Sequence, residues 1–334
     1  MVNKILIIGY GSIGKRHHEV LKKILPKAKI GILRHQKEKK LVKIKGVEKV
    51  FFDLESALAF NPELAVLSNP SSLHAEYAVH FLKKNIHLFI EKPLTSNLKD
   101  SLKIAKGYQN SKSKVMIGYN LRFYDSLKEF KRLIDINFCG EVFSFRCEVG
   151  SYLPFWRENS DYKKGVSAKK SLGGGVLLEL SHEIDYLNWI FGKARWVNAF
   201  LDKSSLLNVD VEDNAYIIAS FKNKKKEIKG VLNMDFYRRD PTRTCTIIGE
   251  KTSLRWDGLR GTIETYDKFL NKWVKIFSKK NEKEMSYFKE WESFLKCIKH
   301  DGKENISIPE SIEVLSLVEA CKNSSKKEKK LYLK

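Results

Sequence analysis

The chain opens on a short apolar run, Lys4-Ile5-Leu6-Ile7-Ile8, that stops at a glycine-rich turn, Gly9-Tyr10-Gly11-Ser12-Ile13-Gly14, and passes into a helix-like stretch from Ile13 to Leu25 closed by Pro26. No other stretch constrains the fold as tightly. A short apolar run without polar alternation suits a strand covered on both faces, which is the habit of parallel sheets with helical crossovers. In a G-x-G-x-x-G turn so placed, the first glycine permits the bend and the second lets backbone approach a pyrophosphate. The third brings helix and strand close, and the helix N-terminus supplies amide donors and partial positive charge. The competing reading is a glycine-rich turn with no ligand.

Further short apolar runs follow at Ile30–Leu33, Val50–Phe52, Ala65–Ser68, His87–Ile90 and Val115–Gly118, each separated by a segment able to form a helix. Alternation of this kind predicts a doubly wound parallel α/β sheet of the Rossmann type. After about residue 120 the texture changes. Longer β-like stretches run over 141–150, 196–201, 215–221, 230–236, 244–249 and 261–266, which predicts an open, mostly antiparallel sheet of α+β character. Helical spacing returns over 126–136, 175–191, 285–298 and 309–321. With 334 residues, 43% of them hydrophobic, two cores are expected. We place a nucleotide-binding domain over 1–119 and a substrate-binding and oligomerisation domain over 120–334, with the 309–321 helix packing back near the junction.

No stretch reaches about 18 uninterrupted apolar residues, and the start lacks a small-residue cleavage site, so membrane insertion and secretion are disfavoured. Five cysteines without metal or redox spacing suggest reduced thiols in a cytoplasmic protein that holds no metal. The formal charge of +22 would suit nucleic acid, lipid or a phosphorylated ligand. Its lysines are scattered in short clusters along the chain, which favours solvated faces over a nucleic-acid or membrane partner.

The end of the second strand separates NAD from NADP, because a carboxylate there binds the ribose 2′-hydroxyl and repels a 2′-phosphate. This chain reads Leu33-Arg34-His35-Gln36-Lys37. Arg34 can clamp a phosphate with His35 or Lys37 beside it, so NADP is expected, with NAD retained as the alternative.

Three segments occur in order beyond the loop: Leu67-Ser68-Asn69-Pro70-Ser71-Ser72-Leu73-His74, Ile90-Glu91-Lys92-Pro93-Leu94, and Gly173-Gly174-Gly175-Val176-Leu177-Leu178-Glu179-Leu180-Ser181-His182-Glu183-Ile184-Asp185. With Gly118-Tyr119-Asn120-Leu121-Arg122-Phe123, they resemble the glucose-fructose oxidoreductase, inositol dehydrogenase and rhizopine catabolism (Gfo/Idh/MocA) family across nearly the whole chain. The resemblance implies a sugar substrate set against the nicotinamide and a homodimer or homotetramer formed through the C-terminal sheet. It also implies a catalytic lysine at Lys92 and a catalytic histidine at His182. The cofactor residues expected from the glycine turn, the end of the second strand and these motifs are Gly9, Gly11, Ser12, Ile13, Gly14, Arg34, His35, Asn69, Pro70, His74, Glu91, Lys92 and Asn120.

The chemistry asks for the same residue types. Hydride transfer at a carbinol needs a matched proton transfer at its oxygen, which suits His182, while the Lys92 ammonium stabilises developing alkoxide. Asp185 stands three residues on and either orients the imidazole or binds a substrate hydroxyl. Glu179 departs from the family pattern, which has an aspartate four residues before the histidine. Arg122 either contacts nicotinamide or substrate or pairs with a carboxylate. Trp156, Arg157 and Tyr162 either cover a sugar face or anchor a packed loop, and the glycines at 173–175 serve close backbone approach or a hinge. The expected activity is hydride exchange between NADP and a carbinol or carbonyl of a sugar or sugar-derived acid, with nucleotide-linked sugars and surface-polysaccharide precursors in range. An NAD-dependent glycosidase of the same family and a non-catalytic NADP sensor are the alternatives.

Overall fold

The computed structural model describes residues 2–34, 43–157, 160–223, 226–280 and 283–333; His35, Gln36 and Lys37 lie outside them. The first stretch of chain contributes β1 (Lys4–Ile8), α1 (Ser12–Ile24), β2 (Lys29–Leu33), β3 (Lys49–Phe51), α2 (Leu54–Ala59), β4 (Leu64–Leu67), α3 (His74–Lys83), β5 (His87–Glu91), α4 (Leu98–Gln109) and β6 (Val115–Gly118). There follow α5 (Asp125–Asp135), β7 (Val142–Gly150), α6 (Val176–Glu179), α7 (His182–Phe191), β8 (Ala194–Asp202), β9 (Asn214–Asn223), β10 (Lys226–Asp235), β11 (Thr242–Gly249), β12 (Ser253–Asp257), β13 (Thr262–Asp267), β14 (Lys272–Ser278), α8 (Lys283–His300), α9 (Ile308–Lys327) and β15 (Leu331–Tyr332). The chain divides into two compact units, Met1–Tyr119 with Tyr287–Ile312, and Asn120–Ser286 with Glu313–Lys334.

In the first unit six parallel strands lie in the order β3-β2-β1-β4-β5-β6. Their inner residues are sealed: Ile5, Leu6 and Ile7 of β1 and every residue of β4 are 0% exposed. Strand order reverses at β1 and β4, so the C-terminal ends of those strands form the crevice where doubly wound sheets bind ligands. Residues from α8 complete this core, with the Trp291 ring stacked on Phe89 at 4.4 Å.

The second unit is a nine-stranded sheet ordered β14-β13-β12-β11-β7-β10-β9-β8-β15, with β7 and β10 parallel and the other neighbours antiparallel. Strand alternation buries Phe145, Cys147, Ile217, Ala219, Phe221 and Trp256 on one face, against Tyr186 and Phe191 of α7. The other face leaves Phe200, Tyr216, Ile218 and Val231 exposed.

Three features differ from expectation. The helix over 175–191 is two helices, broken at Leu180 and Ser181. Glu212 holds the short first piece, its carbonyl accepting the Val176 N–H at 3.0 Å and its carboxylate the Leu177 N–H at 3.4 Å. The sequence pattern predicts neither β12, five residues long with charged Arg255 between buried Leu254 and Trp256, nor β14, where charged and apolar side chains mix and none is buried. Two-residue β15 pairs with β8 at the sheet edge.

Candidate active site

At the end of β1 the Gly9 N–H donates to Leu33 O at 3.0 Å and the chain turns at φ +83°. A Cβ on Gly9 would stand 2.8 Å from Asn69 N, and one on Gly14 would stand 2.3 Å from Gly9 O. Both glycines are therefore required by the protein's own packing. Gly11 is not: its backbone is extended (φ −76°, ψ −164°), and a Cβ there meets no atom of the described residues within 4 Å. Open space at the one glycine that internal packing does not demand is what a cradle for an external group needs.

The helix beyond fits an anion. The first intrahelical bond is Lys15 N–H to Gly11 O at 3.0 Å, so the amides of Ser12, Ile13 and Gly14 precede the ladder, and α1 has no acidic residue in its first turn. The Ser68 hydroxyl pins the loop by donating toward Ile8 O and Gly9 O, both at 2.9 Å. The Asn69 side-chain amide is buried without a hydrogen-bond partner among the described residues. These groups fit a dinucleotide pyrophosphate and the riboses flanking it.

Other predicted cofactor residues have structural duties. His74 is buried, with Nδ1 3.1 Å from Leu94 O and Nε2 3.0 Å from Asn69 O, tying the loops after β4 and β5 together next to Pro70. Arg34 stands at the end of β2, its N–H bonded to Phe51 O at 3.0 Å. Burial and Glu19 push the Tyr10 phenol up, and the Arg34 charge opposes them. Asn120 donates to the Ser286 hydroxyl at 2.8 Å.

Lys92 follows β5 directly, is partly exposed, and joins Pro93 through a cis peptide. The Glu91 carboxylate faces inward, bonded to His17 Nε2 at 2.7 Å and to the Lys92 N–H at 3.1 Å.

In the second unit His182 is the first residue of α7 and is partly exposed. Asp185, one turn on, meets Arg122 in a bidentate pair at 2.9 and 2.7 Å, with both side chains buried and the guanidinium 5.6 Å from the Trp189 ring. Arg122 is thus paired with a buried carboxylate. Glu183 is fully buried against Arg243 at 2.7 Å, so α7 is anchored by two ion pairs beside His182. Glu179 accepts the Ser167 hydroxyl at 2.7 Å. Of the three glycines, Gly174 admits the backbone at Val166, 2.3 Å from where its Cβ would be, and Gly175 (φ +108°) lies against Glu212. Close approach of a loop, not a hinge, accounts for these two.

Trp156, Arg157 and Tyr162 line one shallow, open pocket together with Leu153, Ser160, Gly165 and Ser167. The Trp156 indole donates to Ser151 O at 3.3 Å, and the Tyr162 hydroxyl accepts the Asn208 N–H at 3.2 Å. Sequence reasoning missed His17, Trp291, Ser167, Glu212 and Arg243. Only His17 carried a signal: Gly14, His17 and Leu21 recur at the spacing of one buried helix face.

A dinucleotide cradle on a parallel sheet and a second, largely antiparallel unit define a class. Residues 3–119 match the GFO_IDH_MocA model, an oxidoreductase family with an NAD-binding Rossmann fold, and residues 127–255 match the GFO/IDH/MocA C-terminal domain. The chain belongs to this family and is an NAD(P)-dependent oxidoreductase. It is 24% identical over 345 residues to myo-inositol 2-dehydrogenase of Thermotoga maritima, covering 99% of this chain and 98% of that one. Over 203 residues it is 24% identical to the Bacillus subtilis scyllo-inositol 2-dehydrogenase (NADP(+)) IolW, covering 59% of this chain and 54% of that protein. A levoglucosan dehydrogenase in complex with NADH shares the fold, with a TM-score of 0.86 at 19% identity over 99% of both chains.

Proposed function

We propose that this protein is a dehydrogenase or reductase, preferring NADP, that moves a hydride between nicotinamide and one carbinol of a sugar, cyclic polyol or sugar-derived acid. The observation that carries the reading is the open space at Gly11 between two packing-locked glycines, ahead of a helix N-terminus free of acidic side chains. Gly11, Ser12, Ile13, Gly14 and Asn69 would hold the cofactor, which supplies the hydride acceptor or donor when bound. His182 takes the proton from the substrate hydroxyl on oxidation and returns it on reduction. To Lys92 we assign the electrostatic half of the work: its ammonium would stabilise the charge that develops on the substrate oxygen. Asp185 and Arg122 hold α7, and with it His182, through their buried pair. Trp156, Arg157 and Tyr162 contact the sugar.

Arg34 supports the NADP preference, since it stands where a carboxylate would select NAD. Relatives named with NADP(+) and with NADH both exist. The test compares kcat/KM for NADPH and NADH on a panel of myo-inositol, scyllo-inositol, levoglucosan and nucleotide-linked sugars. Higher efficiency with NADPH supports the reading and preference for NADH overturns its cofactor half. No turnover of nicotinamide on any sugar or polyol would overturn the rest.

The reading includes a homodimer or homotetramer in a reducing compartment. The apolar outer patch of Phe200, Tyr216, Ile218 and Val231 suits cover by a second copy, and the five cysteines are buried thiols. A sedimentation mass equal to one chain would remove the oligomer.

A further inference from the structure

We infer that His17 is a positioning residue for Lys92, acting through the Glu91 carboxylate; this rests on Lys92 serving the substrate oxygen. His17 is 0% exposed on the inner face of α1, and three aromatic rings hold its imidazole edge-on: Phe89 at 5.0 Å, Tyr287 at 5.7 Å and Trp291 at 5.6 Å. Its two nitrogens do different work. The Trp291 indole can only donate, and its N–H points to His17 Nδ1 at 3.0 Å. Nδ1 is therefore an acceptor, and Nε2 carries the hydrogen that goes to Glu91 Oε1 at 2.7 Å. The second carboxylate oxygen, Oε2, accepts the backbone N–H of Lys92 at 3.1 Å. A directed chain thus runs from α8 through α1 to the residue whose ammonium does the chemistry.

The surroundings are built around this carboxylate. Glu91 pairs across the sheet with Gly118, where a Cβ would stand 3.3 Å from both Glu91 Cδ and Oε2 and 3.1 Å from the Phe89 ring. The glycine leaves the room that the carboxyl group fills. On the far side of the turn, His74 Nδ1 holds Leu94 O. Residues 92–94 are thereby gripped at both ends, and the Lys92 side chain starts from a fixed backbone. A packing role alone would be met by any apolar ring of this size; the polarity of the chain would not matter.

Isosteric Glu91→Gln separates the two roles. Its amide has one donor end and one acceptor end, whereas the site presents two donors, His17 Nε2–H and the Lys92 N–H, so one contact must fail with the volume unchanged. The experiment compares full-length Glu91→Gln, His17→Leu and His17→Gln with Lys92→Ala. It measures hydrogen exchange at the Lys92 amide, NADPH affinity by fluorescence, and kcat and KM for the panel substrate turned over fastest. Positioning predicts that Glu91→Gln and His17→Leu each speed Lys92 amide exchange and lower kcat by about tenfold to a hundredfold, with KM and NADPH affinity near wild type. His17→Gln, whose amide can still donate to Glu91, recovers much of both. Wild-type Lys92 exchange and kcat in Glu91→Gln overturn the inference even where His17→Leu fails to fold. If Lys92→Ala itself keeps normal turnover, it is the assignment of Lys92 that falls, and the exchange data still report on the chain of hydrogen bonds.

Discussion

Replacing Gly11 and Gly14 separately by alanine distinguishes space reserved for a ligand from space used by the protein. At Gly14 the new Cβ would lie 2.3 Å from Gly9 O and 2.8 Å from Ser68 Oγ, about 1 Å inside ordinary contact with a backbone atom that cannot swing away. Overpacking of this kind costs about 1–3 kcal/mol, so the melting temperature of the cofactor-free protein should fall by roughly 2–10 °C. At Gly11 the methyl meets no described atom within 4 Å, and the backbone there suits any residue. Lost freedom of the unfolded chain stabilises alanine by about 0.4–1 kcal/mol, and the poorer N-cap takes back a similar amount. The melting temperature should therefore hardly move. The methyl does intrude where a pyrophosphate would rest, and the same overpacking range then weakens NADPH by roughly 5- to 150-fold. Differential scanning fluorimetry without cofactor and an NADPH fluorescence titration read the two effects independently. Gly11→Ala that binds NADPH as well as wild type, or that melts as low as Gly14→Ala, would refute the assignment of this loop.

Asp185→Asn should destabilise the fold by about 3–5 kcal/mol, because it strands the Arg122 guanidinium in a site where its side chain is 5% exposed; thermal melts check this, and a paired apolar replacement of both residues should recover most of the loss. Stability should also fall as pH drops below 6.5. Burial and the neighbouring Lys114 charge lower the His87 pKa from 6.5, and its Nδ1 is already occupied by the Lys114 N–H at 2.9 Å. The unfolded chain therefore takes up the proton first, so the stabilisation is full above 6.5 and is lost as pH falls through the folded value. His87→Asn, whose oxygen can accept the same N–H, should make the melting profile less steep between pH 7 and 5, with buried His74 and half-buried His18 supplying the rest of the slope; an unchanged slope would rule out a contribution from His87.

Much of this was legible in the chain. The parallel sheet could be read because β1, β2, β4, β5 and β6 are short apolar runs buried on both faces, a pattern that needs no tertiary partner to be visible. The far edge of the second sheet could not be read in the same way. In β14 lysines and apolar residues share both faces, and only the ladder to β13 makes Lys272–Ser278 a strand. The break before His182 depends on Glu212, 30 residues on, holding the short helix from outside. The contacts of the site residues were legible as types but not as pairs. Arg122 and Asp185 were each recognisable, while their union, and that of His17 with Glu91 and Trp291, joins residues far apart in sequence. No local pattern encodes such a meeting.

In the proposed reaction Lys92 and His182 perform the charge and proton work of hydride transfer. Steady-state nicotinamide absorbance with Lys92→Ala and His182→Ala, after fluorescence has shown that each variant still binds NADPH, tests these roles most directly. Each variant should lose turnover by about a hundredfold or more. Near-normal turnover in both, with cofactor bound, would contradict them.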